Sequence, residues 1–449
     1  MPHPEIASLP IHCVAESAPL PPLGQQQRQW ALANGFAGQR GRLLPLPDAA
    51  GGIASWLFGT GRGEGRPVLF AGLAAAQLEP SAYILAGDYG DPTLAALGFR
   101  LGGYRFDRYR KLPPAPTLEL PEGADGAEVD RLSEAAFLAR DLVNTPANDM
   151  GPAALEAEIR KLAARHRMTV KAIVGDDLLA QNLPMIHAVG RAGPEAPRLL
   201  DLTWGRKSDP KVTLVGKGVT FDTGGLDIKP ASGMLLMKKD MGGAANILGL
   251  AHAIMDARLR VRLRVLIPVV ENSISATAFR PGDVLPSRSG QTVEIGNTDA
   301  EGRLILGDAL SLGSEENPEL LLDMATLTGA ARIALGPDLP PLYATDNRLA
   351  ADLMAAGLAA GDPLWHMPLW SPYESMLASK LADVNHVTPN PFAGSVTAAL
   401  FLKRFIGGAK SWVHLDIFAW APEARAGRPF GGTDQGIRAV YGVLKQRYS

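Results

Sequence analysis

Three short segments of the chain concentrate ionisable side chains where the surrounding sequence is mostly apolar. Residues 215–230 read VGKGVTFDTGGLDIKP and turn through four glycines, residues 237–243 read MKKDMGG, and residues 297–309 read NTDAEGRLILGDA. The candidate site residues in these segments are Lys217, Asp222, Lys229, Asp240, Asp299, Glu301 and Arg303. Because glycine allows positive φ and a close approach of the backbone to a ligand, the first segment can aim its lysines and its aspartate into one space.

Each segment also has a purely structural interpretation. The glycine-rich turn could be a simple turn or a phosphate-binding loop, and Asp240 could be the N-cap of a following helix. Asp299 and Glu301 could complement the dipole of the helix that they precede. The combination favours chemistry, since like charges brought together need a compensating cation, which a pair of divalent metal ions supplies.

The expected donors of such a site are carboxylate oxygens and one nitrogen. Donors of this kind suit Mn²⁺, Mg²⁺ or Zn²⁺ in a site without thiolate or imidazole ligands. The chain has eight histidines and one cysteine, Cys13, which excludes an internal disulfide scaffold and a multi-cysteine zinc site.

Alternating helix and strand patterns surround the three segments. Strands are predicted at 212–215, 262–270 and 320–325, and helices at 243–257 and 302–313. This alternation predicts an α/β domain with a mixed central sheet covered by helices on both faces, and functional groups at the strand ends. Residues 299, 301 and 303 alternate, so an extended lead-in to the second helix would project them to one side.

The length of 449 residues predicts two or three domains. Proline-rich and glycine-rich stretches at 112–116 and 121–126 interrupt regular structure. We therefore predict a smaller mixed α/β N-terminal domain at 1–120, a linker helix and connection at 121–150, and a larger catalytic domain at 151–449.

Composition narrows the class of protein further. Lys plus Arg number 44 and Asp plus Glu number 46, so the net charge of −2 offers no large basic field for nucleic acid. The first 20 residues lack the pattern of a signal peptide, and no stretch approaches 18 uninterrupted apolar residues. A cytoplasmic location is expected.

The three segments closely resemble the signature blocks of the leucine aminopeptidase family, the hexameric two-metal (M17-type) cytosol aminopeptidases. The string NTDAEGRL at 297–304 is the most specific part, and weaker similarity extends the match over about residues 130–420. The resemblance implies a metal-dependent aminopeptidase that releases the N-terminal residue, preferably leucine or another apolar residue, from short peptides through a metal-bridging water or hydroxide. It also implies a homohexamer with no membrane or nucleic-acid partner.

The resemblance implies a role for each position. The residues matching the metal ligands are Lys217, Asp222, Asp240, Asp299 and Glu301, which would hold two divalent ions, Zn or Mn before Mg or Co. Lys229 matches the lysine that polarises the substrate, and Arg303 matches the arginine that holds bicarbonate as general base. Positions that shape the substrate pocket are Met237, Thr326, Leu327 and Gly329. Lys217 can be a ligand only as a neutral amine, so adjacent divalent charge must lower its pKa.

Two other functions compete with this interpretation. Clustered carboxylates also serve two-metal phosphoesterases, although those sites commonly use histidine, which is absent from the three segments. A catalytically silent assembly or DNA-binding protein could share the fold. Among the other conspicuous residues, His252, Asp308, His414 and Asp416 are expected to be structural. The arginines at 258, 260, 262 and 264 are expected to form one basic strand face, solvated or facing a subunit.

Overall fold

The computed structural model of this chain describes residues 8–449 and divides into two units. The first unit comprises the described residues up to Phe137 together with Ala421–Phe430. The second comprises Leu138–Trp420 and Gly431–Ser449.

The first unit contains one mixed sheet. Its strands are β1 (Leu9–Ala15), β2 (Leu43–Pro47), β3 (Ile53–Gly61), β4 (Ala82–Gly87) and β5 (Thr117–Leu118). Its helices are α1 (Gln25–Ala33), α2 (Gly72–Ala75) and α3 (Pro92–Gly102), and α4 (Gly126–Asn144) runs across the division along the chain. The strand order is β2-β3-β1-β4-β5, with β1 parallel to β3 and β4 and β2 antiparallel to β3. The smaller mixed α/β domain is therefore confirmed.

The rest of the chain alternates between helices and strands. The helices are α5 (Pro152–His166), α6 (Asp177–Ala180), α7 (Pro184–Gly190), α8 (Ala231–Met234), α9 (Gly242–Asp256), α10 (Glu301–Ser314), α11 (Gly329–Leu335), α12 (Asn347–Ala359), α13 (Gly394–Lys403) and α14 (Ile437–Tyr448). The strands are β6 (Thr169–Val174), β7 (Arg198–Trp204), β8 (Lys211–Gly216), β9 (Gly218–Asp222), β10 (Arg262–Asn272), β11 (Val284–Pro286), β12 (Thr292–Glu294), β13 (Leu320–Ala325), β14 (Pro341–Ala344), β15 (Trp365–His366), β16 (Val384–Asn385), β17 (Trp412–Asp416), β18 (Trp420–Ala421) and β19 (Gly431–Gly432). Short 3-10 helices cover Met237–Met241, Thr298–Ala300 and Ser371–Leu377.

The main sheet of the second unit is mixed, as expected. Its order is β15-β14-β17-β13-β8-β10-β7-β6, and β9 pairs with β10. The four central strands β17, β13, β8 and β10 run parallel to one another. The strands on either side of them are antiparallel, β7 to β10 and β14 to β17. All six residues of β13 are buried, which is typical of a parallel strand covered on both faces.

Helices cover both faces of this sheet, as the neighbours of two residues of β8, Thr213 and Gly216, show. A side-chain carbon added at Gly216 would lie 2.6 Å from the Cα of Ala244 in α9. One added at Gly313 in α10 would lie 3.1 Å from the side chain of Thr213. Because Thr213 and Gly216 point to opposite faces of the strand, α9 and α10 cover opposite faces. The predicted fold class is confirmed.

Two local predictions are wrong. Residues 299–303 are not extended, since Thr298–Ala300 form a 3-10 helix that leads directly into α10. The Asn297 side chain accepts a hydrogen bond from the Asp299 N–H, which begins the helical turn early. Arg258 and Arg260 are not part of a basic strand face, because β10 begins only at Arg262.

Within residues 8–449, no helix is long and apolar enough to cross a membrane.

Candidate metal centre

The carboxyl ends of parallel strands bring the candidate residues to one edge of the main sheet. Lys217 lies between the end of β8 and the start of β9, and Asp222 ends β9. Asn272 ends the neighbouring strand β10 and is paired in register with Asp222. Thr326 follows the end of β13 directly. These ends meet because the strands run in the same direction, so the predicted strand-end site is formed by the sheet itself.

Lys217 joins the first and second segments to the third. Its ammonium Nζ lies 2.6 Å from Asp240 Oδ2 and 3.0 Å from Glu301 Oε1, and it donates a hydrogen bond to the Thr326 carbonyl at 3.0 Å. All three charged side chains are buried. Burial alone would lower the pKa of Lys217, but the surrounding carboxylates raise it. The lysine is thus the counter-charge of the two acids.

Lys229 is likewise the counter-charge of a second pair of carboxylates, those of Asp222 and Asp299. Its Nζ lies 2.7 Å from Asp222 Oδ2 and forms a short ion pair with Asp299. One carboxylate oxygen from each of Asp222, Asp299 and Glu301 lies within 4.8 Å of the others. The structure therefore brings together in one cluster six of the seven ionisable residues that the sequence identified.

Burial and the neighbouring acids disfavour the charged form of these carboxylates. Burial raises the pKa of Asp222, and the charge of Glu301 raises it further. Burial likewise raises the pKa of Asp299 to about 7, with the nearby Asp222 as the next cause. Such shifts mean that the group of acids favours any added positive charge.

The donor set fits two divalent cations. Four carboxylates and one amine offer the hard oxygen and nitrogen donors that Mn²⁺, Mg²⁺ and Zn²⁺ accept. Asp240 Oδ2 and Glu301 Oε1 are buried, and among residues 8–449 each has the Lys217 ammonium as its one close polar partner. A bound cation would take over the charge compensation that Lys217 gives these two oxygens.

Two residues that the sequence did not single out hold this cluster in place. The amide of Asn272 donates to Asp222 Oδ1 at 2.8 Å and to the Thr298 carbonyl at 3.1 Å. The hydroxyl of Thr298 donates to the Gly224 carbonyl at 2.6 Å and accepts from the Asp227 N–H at 2.8 Å. No sequence signal marks Asn272 beyond its place at the end of an apolar strand, since its role depends on strand pairing.

Arg303 lies apart from the acid cluster. It is the third residue of α10, and its Nη1 donates to the carbonyl of His386, just after β16, at 2.7 Å. Burial lowers its pKa to about 10. Its Nε is buried and has no hydrogen-bond partner among residues 8–449. A buried guanidinium with a free donor is suited to a small anion.

Of the four predicted pocket residues, Met237 belongs to the second segment, and the other three follow β13. Thr326 is buried and donates to both Asp240 Oδ1 at 2.8 Å and the Asp240 carbonyl. Leu327 follows it and packs against the main core, while Gly329 is exposed at the start of α11. Met237 is half-buried at the start of the 3-10 helix that contains Asp240. Thr326 is therefore in direct contact with the acid cluster, and the other three are attached to it through the chain.

Asp416 supports this part of the site from the end of β17. Its Oδ1 accepts the N–H groups of Leu327 and Thr328, and its Oδ2 accepts the Thr328 hydroxyl at 2.6 Å. The sequence indicated a structural role for Asp416 but not the loop that it holds.

Other expected structural residues have buried polar partners. His414 Nδ1 lies 2.6 Å from Asp323 Oδ1, and Asp308 accepts the N–H groups of Met185 and Arg288. Both were expected to be structural from the sequence, and their contacts agree with that role.

Comparison with known proteins gives a consistent result. The family described as "Cytosol aminopeptidase family, catalytic domain" matches residues 137–441, and "M17 aminopeptidase, N-terminal domain" matches residues 17–121. A "Probable cytosol aminopeptidase" of Roseiflexus castenholzii is 41% identical over 367 residues, which is 78% of this chain and 75% of that protein. A protein of the same name from Chlorobium limicola is 37% identical over 92% of this chain and 90% of its own length.

Solved structures agree with the sequence comparisons. The cytosol aminopeptidase of Coxiella burnetii is 45% identical, with a TM-score of 0.93 over 100% of this chain and 99% of that chain. The bottromycin maturation enzyme BotP, in a complex with Mn, is 33% identical, with a TM-score of 0.90 over 98% of this chain and 99% of that chain.

Proposed function

The chain belongs to the cytosol aminopeptidase family, and we propose that it is a metal-dependent aminopeptidase that removes the N-terminal residue from short peptides. The observation that carries the proposal is the buried acid cluster, in which oxygens of Asp222, Asp299 and Glu301 lie within 4.8 Å of one another. Lys217 and Asp240 complete the set, with 2.6 Å between Nζ and Oδ2.

The five residues that would hold two divalent ions are Lys217, Asp222, Asp240, Asp299 and Glu301. When bound, the two ions would activate a water as nucleophile and bind the free α-amine of the substrate. Asp222 and Glu301 are both buried and both accept from the Asn272 amide, which would hold their carboxylates in place for the ions. Zn²⁺ and Mn²⁺ are the ions that we expect first, with Mg²⁺ and Co²⁺ as alternatives.

Lys229 is proposed to polarise the scissile carbonyl. Its ammonium is held by Asp222 and Asp299, and the carboxylates raise its pKa against the effect of burial. The group therefore stays protonated, and its fixed positive charge can stabilise the oxyanion of a tetrahedral intermediate.

Arg303 is proposed to hold a bicarbonate ion that accepts a proton. Guanidinium is not itself a base at neutral pH, but its free, buried Nε donor can bind one oxygen of a small anion. The His386 carbonyl fixes the guanidinium through Nη1 and leaves Nε available. An exogenous base is reasonable here because the cluster contains no histidine.

The pocket for the N-terminal side chain is proposed to involve Met237, Thr326, Leu327 and Gly329. Their mainly apolar character favours leucine and other apolar side chains. A homohexamer in the cytoplasm completes the proposal, in line with the family resemblance.

The proposal is tested by hydrolysis of leucine p-nitroanilide with Mn²⁺ added. We expect turnover that is lost on chelation and restored by adding Mn²⁺ or Zn²⁺. N-acetyl-leucine p-nitroanilide should not be cleaved, because its nitrogen can no longer bind a metal ion. The absence of turnover on a panel of free N-terminal dipeptides, or cleavage of p-nitrophenyl phosphate instead, would show that the assignment is wrong.

A further inference from the structure

A cavity of about 570 Å³ lies at the opposite end of the central strands from the acid cluster. It lies where β7 ends at Trp204 and where β8 and β10 begin, at Lys211 and Arg262, which are paired in register. Since the acid cluster follows the ends of β8 and β9, the two sites use opposite ends of the same strands.

The lining of this cavity is strongly basic. Its charged and titratable residues are Arg165, His166, Arg167, Arg206, Asp209, Arg258 and Arg260. Five arginines thus face one aspartate, in a chain whose total charge is only −2. Trp204, which is half-buried, adds an indole to the lining.

Four of these arginines have no acidic partner. Arg167, Arg206, Arg258 and Arg260 are exposed, and among residues 8–449 no carboxylate lies within ion-pair distance of them. Two neighbouring arginines in the same stretch of sequence do have acidic partners. Arg262 and Arg264, the next two members of the alternating series, pair with Glu316 at 3.1 Å and with Asp201 at 2.7 Å. The fold neutralises the arginines on the strand and leaves those at the cavity uncompensated.

The backbone at the cavity is held in an uncommon conformation. Arg167, just after α5, has φ of 56°, and Arg258, just after α9, has φ of 53°. A left-handed conformation is unfavourable for a residue with a long side chain, and glycine or asparagine is the usual choice there. Arginine at both helix ends brings two guanidinium groups to the same cavity at some conformational cost.

From these features we infer that the cavity binds an organic polyphosphate, of the class of nucleoside di- and triphosphates. Planar guanidinium groups bind phosphate oxygens in pairs, and several phosphates would neutralise several arginines together. The volume lies within the range of small-molecule pockets, about 300–1,000 Å³. The indole of Trp204 offers a surface on which a nucleobase can stack. This inference does not depend on the peptidase activity proposed above.

The test measures binding of ATP and of tripolyphosphate to the full chain by calorimetry, at about 150 mM salt to suppress weak surface association. Mg²⁺ is kept in excess so that the probes do not strip metal from the acid cluster. We expect ATP to bind with a dissociation constant below about 1 mM. Tripolyphosphate should bind more weakly if the base stacks on Trp204, and equally if phosphate alone is recognised.

Three double variants locate the binding. Arg206→Ala with Arg260→Ala should weaken ATP binding at least about tenfold, since two charge-assisted contacts are lost. Lysine at both positions should restore part of the affinity, because the positive charge remains although the paired donors of the planar guanidinium are lost. Arg280→Ala with Arg348→Ala removes the same charge elsewhere and should change nothing. Hydrolysis of leucine p-nitroanilide without nucleotide should be equal in all variants.

Three results would overturn the inference. ATP and tripolyphosphate could both fail to bind below about 1 mM, or the alanine variant at 206 and 260 could bind ATP as tightly as the parent chain. A single-stranded oligonucleotide could bind more tightly than ATP through the same arginines, which would make the cavity a nucleic-acid site instead. Melting temperatures of all variants are compared first, so that a loss of binding is not a loss of folding.

Discussion

The carboxylate of Asp416 holds the backbone of Leu327, whose N–H donates to Oδ1 at 3.0 Å. The same oxygen accepts the Thr328 N–H at 3.1 Å, so one buried side chain at the end of β17 fixes the loop after β13. Because Thr326 in that loop also bonds to Asp240, the position of a proposed metal ligand and the shape of the proposed pocket depend on the same short segment.

Replacing Asp416 should therefore damage the pocket without removing a metal ligand. In Asp416→Ala, the Leu327 and Thr328 N–H groups lose their acceptor, and the loop is free to shift. We expect kcat/KM for leucine p-nitroanilide to fall on the order of tenfold to a hundredfold, because small misplacements near a reacting group are costly. Asp416→Asn keeps one acceptor oxygen and should lose less. Equal losses in both variants, or loss of bound metal, would contradict a positioning role.

Glu301 is the next residue to test, because it pairs with Lys217 and has a carboxylate oxygen within 4.8 Å of those of Asp222 and Asp299. Glu301→Gln keeps the shape but removes a charge from the proposed ligand set. We expect metal affinity to fall by about a hundredfold or more, with a parallel loss of peptidase activity. Metal content measured by mass spectrometry after dialysis checks the first effect. Glu319→Gln, at an exposed ion pair with Lys410, serves as the matched control and should retain both properties.

Lys217 should stabilise the metal-free protein. In Lys217→Met, the buried Asp240 and Glu301 lose the ammonium that lies 2.6 Å and 3.0 Å away. Leaving buried charge uncompensated costs about 3–5 kcal/mol, so unfolding by urea in the presence of chelator should begin at a much lower concentration. Lys410→Met removes an exposed partner of Glu319 and should cost less than about 1 kcal/mol. Equal urea midpoints for the two variants would argue against this role.

His386 should make the stability depend on pH. Burial, followed by the charge of Arg303, lowers its pKa to about 3 from the ordinary 6.5. Between these values the unfolded chain binds a proton that the folded chain does not. The free energy of unfolding should thus fall as pH drops from 6.5 towards 3, by about 1.4 kcal/mol per pH unit from this group.

The measurement is urea unfolding at several pH values for the parent chain and for His386→Gln. The variant has no imidazole to protonate, so its stability should decline less steeply over the same range. If both proteins lose stability with the same slope, His386 is not the group responsible, and other buried groups must account for the decline.

Many of the elements, and the donor chemistry of the candidate site, can be predicted from local patterns in the amino-acid sequence. Continuous apolar runs such as Leu320–Ala325 predict buried strands, and the structure has β13 over the same residues. The donor types of Asp222, Asp240, Asp299 and Glu301 indicated a metal site, because burying like charges without a cation is too costly. Neither inference needs long-range contacts, since apolar periodicity and ligand chemistry are local properties of the chain.

Which side chains come into contact depends on the tertiary structure. Asn272 supports Asp222 because β9 and β10 pair in register, and Asp416 supports Leu327 because β13 and β17 end side by side. Arg258 and Arg260 looked like part of a strand face, yet a left-handed turn after α9 separates them from Arg262 and directs them to a cavity. Strand register and chain reversal bring distant residues together, and no local pattern encodes the partner that each residue will find.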